Sequence, residues 1–413
     1  MGAFAAPIFI FDSMATIALI WELGSDYGHI GRFLPIAQAL RERGHRPVMI
    51  LRDISRADEM LGPYGLEYLQ APLWLPPVSG LPPALNFTET LFLFGFLQPA
   101  GLLSIVRAWR KLFELLKPDM LVFDHAPTAL LASRGLGLPR LITGNSFAVP
   151  RQATPMPLYQ WWDPKAGAPS RERDCEEKLV RNANHALAAL GAPLLERVAD
   201  LYAAEATLIT GAPELDVYGP RDPDNYVGAI NSIEHGVEPR WPAGKTRKVF
   251  AYLKPHYAHI EVLITALGKL DASVLIFAPG LAKQTVERLQ TANLAFSSAP
   301  LKMSRVREEC DLAVCHAGGT VDVMLAAGKP LFVLPLQMEQ IMTSRRFEQT
   351  GCGLWHWHQQ PPKDIDKMLR KVFSVPEFGE RAQAYRERNQ GFTQATAMAR
   401  FMATCDRLLA GVA

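Results

Sequence analysis

Short runs of aliphatic and β-branched residues alternate along this chain with stretches whose apolar positions recur at helical spacing. That alternation predicts parallel strands covered by helices on both faces, an α/β architecture. Thr16 to Trp21 reads as a first buried strand. From Phe33 to Arg43 the residues Phe33, Ile36, Ala37 and Leu40 share one helical face before a stop at Gly44, and Pro47 to Leu51 supplies the next strand. Strands follow at Met120 to Phe123 and Leu138 to Thr143, then a long helix over about 174–204, then a strand at Ala206 to Thr210. The segment 216–243, rich in proline and glycine and poor in apolar periods, has the composition of a hinge. Beyond it the strands Val249 to Leu253, Ser273 to Phe277, Leu312 to Cys315 and Leu331 to Leu334 repeat the architecture, and an amphipathic stretch over 380–409 closes the chain. The domains are therefore placed at residues 1–228 and 229–413.

Length and composition narrow the function. At 413 residues the chain has room for two or three domains, each with its own core. With 49% hydrophobic and 20% charged residues it is too apolar for a disordered chain. Lys and Arg total 43 against 41 Asp and Glu, and a net charge of +2 gives no field to hold a polyanion, so nucleic acid is not expected as a partner. The five cysteines are odd in number and form no C-x-x-C pair, which suits a reducing, cytoplasmic setting. The greasiest stretch, Leu91 to Val106, is broken by Gly95, Gln98, Pro99 and Gly101 and falls short of the roughly 20 residues that span a bilayer. Residues up to Ser13 do not read as a secretory signal, and Met14 is a second candidate start that would make 1–13 an upstream extension.

Open α/β sheets bind ligands beyond the carboxyl ends of their strands, so the residues that follow each strand carry the chemistry. After the first strand comes Gly24-Ser25-Asp26-Tyr27-Gly28-His29-Ile30-Gly31-Arg32. Its G-x-x-x-G-x-x-G spacing lacks the paired glycines of a dinucleotide fingerprint, which disfavours a nicotinamide dehydrogenase, and it sets a histidine at a helix entrance. In the second half Cys315-His316-Ala317-Gly318-Gly319-Thr320 lies between a strand and a helix. There small residues and free N–H groups suit a diphosphate. Ala327-Gly328-Lys329-Pro330 and Leu334-Pro335-Leu336-Gln337-Met338-Glu339-Gln340 follow. No metal-ligand spacing is evident, and His256, His259, His356 and His358 lack a completing carboxylate; His356-Trp357-His358 reads as a strand edge.

With H-A-G-G-T, L-A-A-G-K-P and L-P-L-x-x-E-Q from His316 to Gln340, and G-H-I-G-R-F-L-P at 28–35, the chain resembles the GT-B glycosyltransferases, in particular the family 1 enzymes that include macrolide, rhamnolipid and UDP-glycosyl transferases. The resemblance implies two Rossmann-like domains set across a cleft, the first binding the acceptor and the second a nucleotide sugar, with the C-terminal helix crossing back to the first. It implies inverting, metal-independent transfer from a UDP- or dTDP-sugar to a hydroxyl, with no cofactor. His29 takes the place of the base that removes the acceptor proton, and Asp124, directly after its strand, takes that of its carboxylate partner, with His125 as competitor. His316, Gly318, Gly319 and Thr320 fall where the family holds the diphosphate, and Glu339 and Gln340 where it holds sugar hydroxyls. Two departures stand out: the family loop is usually H-x-G-x-G-T, one residue longer, and the common Asp-Gln pair is here Glu-Gln. The aromatic stretch from Pro72 to Trp109 reads as helix core that also walls an apolar acceptor pocket, so a small hydrophobic or lipid acceptor, with peripheral membrane contact, is expected. Two other readings remain open at this level: a nucleotide-sugar-binding partner protein without turnover, and a sugar nucleotide epimerase.

Overall fold

The computed structural model describes residues 14–24 and 27–411, so the question of residues 1–13 as an upstream extension lies outside the described residues, as do Ser25 and Asp26 of the first turn. The chain divides into two compact units. The first holds the chain to Thr210, Asp224–Ser232 and the chain from Ala395 onward; the second holds Gly211–Pro223 and Ile233–Gln394. The expected boundary at 228/229 thus falls inside a segment of the first unit. The residues after 394 group with the first unit too, not with the second as the 229–413 division has it.

In the first unit the strands are β1 (Thr16–Trp21), β2 (Arg46–Leu51), β3 (Glu67–Gln70), β4 (Met120–Asp124), β5 (Arg140–Gly144) and β6 (Ala206–Ile209), all parallel, in the order β3-β2-β1-β4-β5-β6. In the second they are β7 (Lys248–Tyr252), β8 (Ser273–Phe277), β9 (Leu294–Ser297), β10 (Leu312–Cys315), β11 (Leu331–Val333) and β12 (Gly353–Trp355), again parallel, in the order β12-β11-β10-β7-β8-β9. Numbered within its own unit, each sheet has the doubly wound order 3-2-1-4-5-6. The strand order therefore reverses between β1 and β4 in one sheet and between β7 and β10 in the other, and such sheets bind ligands at that reversal.

The central strands of each sheet are buried on both faces, as in parallel sheets covered by helices. Ile17, Ala18, Leu19 and Ile20 of β1 and Leu121, Val122 and Phe123 of β4 have no exposure, and neither do Val314 of β10 and Phe332 of β11. The helix Gly28–Glu42 begins five residues before the expected Phe33 and runs through Pro35. The expected helix over 174–204 is instead Pro169–Ala188, followed by a loop and a short 3-10 turn, Val198–Tyr202. The stretch over 380–409 is two helices, Pro376–Arg388 and Gln394–Leu409. His356, Trp357 and His358 are not a strand edge: β12 ends at Trp355.

No single helix among the described residues is long and apolar enough to cross a membrane. The pair Phe87–Phe96 and Pro99–Leu116 passes that test only jointly and is bent by 77°. Leu102, Val106 and Trp109 of its second member are buried in the core, and Trp109 Nε1 donates to Thr128 Oγ1 at 2.9 Å.

The last helix is fixed to the first unit by Arg400, whose guanidinium donates to the carbonyls of Tyr226 and Asp224, both at 2.5 Å, and by the buried Phe401. Phe401→Ala removes a fully buried ring from this seam and should lower the stability of the first unit by about 3–5 kcal/mol, measured as the shift of its denaturant unfolding transition.

Candidate active site

Trp21 ends β1 in register with Asp124, the last residue of β4, so the side chains that follow these two strands meet at the reversal of the first sheet. The turn after β1 delivers His29 into the first turn of Gly28–Glu42. Its ring stacks on the Trp21 indole at 5.0 Å between centroids and 14° between planes, and the indole N–H is itself held by the Leu23 carbonyl at 2.6 Å. His29 Nδ1 lies 2.9 Å from Asp124 Oδ2, and Arg32 Nη1 reaches the same oxygen at 2.5 Å.

Asp124 has no exposure. Burial pushes its carboxyl up, but the charges of Arg32 and His29 and the His29 hydrogen bond outweigh it and hold the group at about 2. An ionised carboxylate only accepts, so the imidazole carries its hydrogen on Nδ1 and leaves the Nε2 lone pair for other work. Two glycines make room for the pair. A Cβ on Gly24, whose φ is +98°, would lie 2.7 Å from His29 Nε2, and one on Gly144, φ +141°, would lie 2.7 Å from Asp124 Oδ1.

His125, the competitor for Asp124, is placed elsewhere. It takes a left-handed φ of 55°, and its ring lies 5.6 Å from Phe87, 6.1 Å from Phe147 and 6.3 Å from His29. Burial pushes it down to about 3, with the charge of His29 acting in the same direction, so it stays neutral. Phe87, Phe147, Tyr159 and Tyr202 continue an aromatic cluster behind it.

Sequence reasoning passed over three residues here: Trp21, Arg32 and Glu22. Glu22, next after β1, is buried, and its carboxylate accepts from Thr128 Oγ1 at 2.5 Å, Thr128 N at 3.0 Å and Ala129 N at 3.2 Å, at the start of the helix Pro127–Ser133. Burial raises it to about 7 against these bonds. A lone acidic residue after a strand gives no sequence signal for that task, since its partners lie over a hundred positions away.

At the reversal of the second sheet His316 follows β10, with its ring turned inward. Nδ1 donates to the Leu334 carbonyl at 2.6 Å and Nε2 accepts from the Lys254 N–H at 2.8 Å, so the imidazole ties the ends of β7, β10 and β11 together. Both ring nitrogens are thus committed to backbone, and the ring has no N–H turned outward for the diphosphate contact expected of it. The shortened loop is tight, with Gly318 N bonded to the His316 carbonyl at 2.7 Å, and the helix Gly319–Ala326 starts immediately.

The amides of Gly319 and Thr320 have no hydrogen-bond partner among the described residues, whereas Val321 N is bonded to the Gly318 carbonyl at 2.9 Å. A Cβ on Gly318 or Gly319 would meet nothing within 4 Å, so the approach to these amides is open. Gln340 Oε1 is folded back onto Leu336 N at 2.8 Å, and Glu339 Oε2 accepts from Gln337 Nε2 at 3.4 Å, so the Gln340 carbonyl oxygen serves its own loop.

His356, His259 and His358 are joined at the same end of this sheet. His356 Nδ1 accepts from the Tyr257 hydroxyl at 2.9 Å and Nε2 donates to the Pro361 carbonyl at 3.2 Å, while His259 Nε2 bonds the His358 carbonyl at 2.8 Å. Among the described residues no group of three or more His, Cys, Asp or Glu side chains could hold a metal ion.

No family model matches the sequence. The PGL/p-HBAD biosynthesis glycosyltransferase of Mycobacterium tuberculosis (strain ATCC 25177 / H37Ra) is 22% identical over 318 residues, covering 71% of this chain and 72% of that protein. Among solved structures, the calicheamicin glycosyltransferase CalG4 matches with a TM-score of 0.72 at 17% identity, over 97% of this chain and 99% of that one. The glycosyltransferase VinC in complex with dTDP matches with a TM-score of 0.63 at 15% identity, over 97% and 100%. At these identities the likeness establishes the fold: the chain has the two-domain GT-B fold.

The depressed carboxyl fixes a pH dependence. Because Asp124 ionises more readily folded than unfolded, its stabilisation is complete above about pH 4 and is lost as pH falls to about 2, a change of about 2 kcal/mol. Urea unfolding across that range should show Asp124→Asn starting less stable than the wild type and falling less steeply.

Proposed function

We propose that this GT-B chain is an inverting glycosyltransferase that moves a sugar from a nucleoside diphosphate sugar, UDP- or dTDP-linked, to a hydroxyl of an apolar small-molecule or lipid acceptor. The observation that carries this reading is the His29–Asp124 pair at the reversal of the first sheet, with Nδ1 bound to an ionised carboxylate and Nε2 left as a base. The second sheet adds a complementary feature at its own reversal: the amides of Gly319 and Thr320, without a hydrogen-bond partner among the described residues, at an exposed helix start. The glycosyltransferase relatives in sequence and fold support the same class.

In this reading Nε2 of His29 accepts the acceptor's hydroxyl proton as the oxygen attacks the anomeric carbon from the side opposite the leaving diphosphate. One displacement with one base inverts the configuration, and the bond from the anomeric carbon to the diphosphate oxygen breaks as the new glycosidic bond forms. Asp124 stabilises the imidazolium that results, and its ionised state keeps the proton on the ring. The departing diphosphate is received by the Gly319 and Thr320 amides and by the positive end of the helix dipole, equivalent to roughly half a unit charge.

These groups supply the positive potential, so no divalent cation enters the scheme. His316 acts in it by holding Lys254 and Leu334 around the loop, not by direct contact with phosphate. The neutral His125 and the half-buried Phe147 ring beside it suit an acceptor with an apolar or aromatic body. A cytoplasmic setting would supply the nucleotide sugar.

Thermal unfolding tests the donor half of the reading. UDP or dTDP at about 100 times its dissociation constant should add about 2.7 kcal/mol of stability and a clear rise in melting temperature. NAD should add none, and stabilisation by NAD alone would overturn the assignment.

His29→Ala tests the acceptor half. It should lower turnover by roughly 10²–10⁴-fold while leaving nucleoside diphosphate affinity, measured by calorimetry, unchanged. Donor binding without turnover in the wild type across an acceptor panel would instead identify a binding protein, and a changed donor sugar in the absence of acceptor an epimerase.

A further inference from the structure

Asp124 carries two nitrogen partners on one oxygen. Oδ2 is 2.9 Å from His29 Nδ1 and 2.5 Å from Arg32 Nη1, while the equally buried Oδ1 has no hydrogen-bond partner among the described residues. His29 and Arg32 stand three residues apart on the helix Gly28–Glu42, so both side chains leave one face of it toward the same carboxylate. Both are largely shielded, with exposures of 14% and 15% against 0% for Asp124, so solvent screens their mutual repulsion weakly.

An imidazole beside an ionised carboxylate gains stability in its protonated form. A permanently charged guanidinium on the same oxygen subtracts from that gain, because the two cations repel each other. Among the described residues, the other titratable groups around His29 do not substitute for Arg32. From the end of β4 comes His125, which burial keeps neutral; after β1 comes Glu22, whose carboxylate is turned to the Thr128 and Ala129 amides. After β2, Arg52 bonds the Glu22 carbonyl at 3.0 Å. Trp21, stacked on the ring, adds no charge.

We propose that Arg32 is a positioning residue that holds Oδ2 of Asp124 against His29 and, by sharing that oxygen, restrains the affinity of His29 for a proton. Its effect is to leave the imidazole in its neutral form, with Nε2 unprotonated, over a wider range of acidity than a His–Asp pair alone would allow. If Arg32 served only as a structural peg, removing it would free the carboxylate to swing away from Nδ1, and the proton affinity of His29 would stay the same or fall. The two roles therefore predict opposite signs. The inference rests on the reading of His29 as a base only for its kinetic consequence.

The test is an NMR titration of the imidazole carbon-bound protons in the full chain, with the His29 resonance identified by its loss in His29→Ala. In Arg32→Gln the His29 midpoint should rise by about one pH unit. Arg32→Lys, which keeps the charge, should stay close to wild type, and Asp124→Asn should move the midpoint down. Arg32→Met removes the same charge with a different shape, so a folding failure of the Gln variant leaves the test in place. An unchanged or lowered midpoint in the charge-removing variant overturns the proposal. In transfer assays the acid limb of turnover should move upward by the same amount. A midpoint that rises while the acid limb stays fixed upholds the role of Arg32 and refutes His29 as the base, so the two readings fail separately.

Discussion

A carboxylate with no exposure stays ionised only if cations are brought to it, and Asp124 sets that condition for the whole edge of the first sheet. The parallel register delivers Asp124 beside Trp21, the turn after β1 brings His29 over the indole, and the next turn of the helix adds Arg32. Each element at this edge is placed to satisfy one charge, and the arrangement that satisfies it also leaves Nε2 unbonded. The stability of the edge and the free lone pair of His29 rest on the same group.

The legible part of the fold was the part whose signal is local. β8 and β10 stand where their apolar runs end, and β1 does too. β3, β9 and β12 are three or four residues long, and β3 shows a largely exposed face, so no run of apolar residues marked them. The helix after β1 starts earlier than its apolar spacing from Phe33 marks because tertiary packing of Ile30, Phe33 and Leu34 holds its first two turns. The long helix over 174–204 and the last one over 380–409 were each drawn through a break, at Gly191 and Pro193 in the first case and around Asn389–Thr393 in the second.

The site was legible for a different reason. His29 and Asp124 follow strands that neighbour each other in a doubly wound sheet, so topology alone brings their backbones together, and the resemblance supplied the roles expected and now proposed for them. Arg32 was hidden because a charged residue on an amphipathic helix reads as part of a solvated face. The inward turn of His316 was hidden because its partners are backbone atoms of Lys254 and Leu334, which leave no trace in side-chain pattern. A motif fixes where a histidine sits; the hydrogen bonds of its two nitrogens decide what it can do.

That distinction separates the two histidines by simple accounting of donors and acceptors. A neutral imidazole offers one N–H and one lone pair. His29 spends its N–H on a charged side chain and keeps the lone pair, which is what the base role proposed for it requires. His316 spends both on main chain, which makes it a clamp. The diphosphate contact proposed for the second sheet's edge then falls to amides, and a Cβ at Gly318 or Gly319 would meet nothing within 4 Å, so packing around the Cβ does not demand glycine at either position. At Gly24 and Gly144 the reverse holds, since a Cβ would collide with the His29–Asp124 pair. Glycine at the first edge protects a geometry, and glycine at the second leaves the start of the helix Gly319–Ala326 exposed.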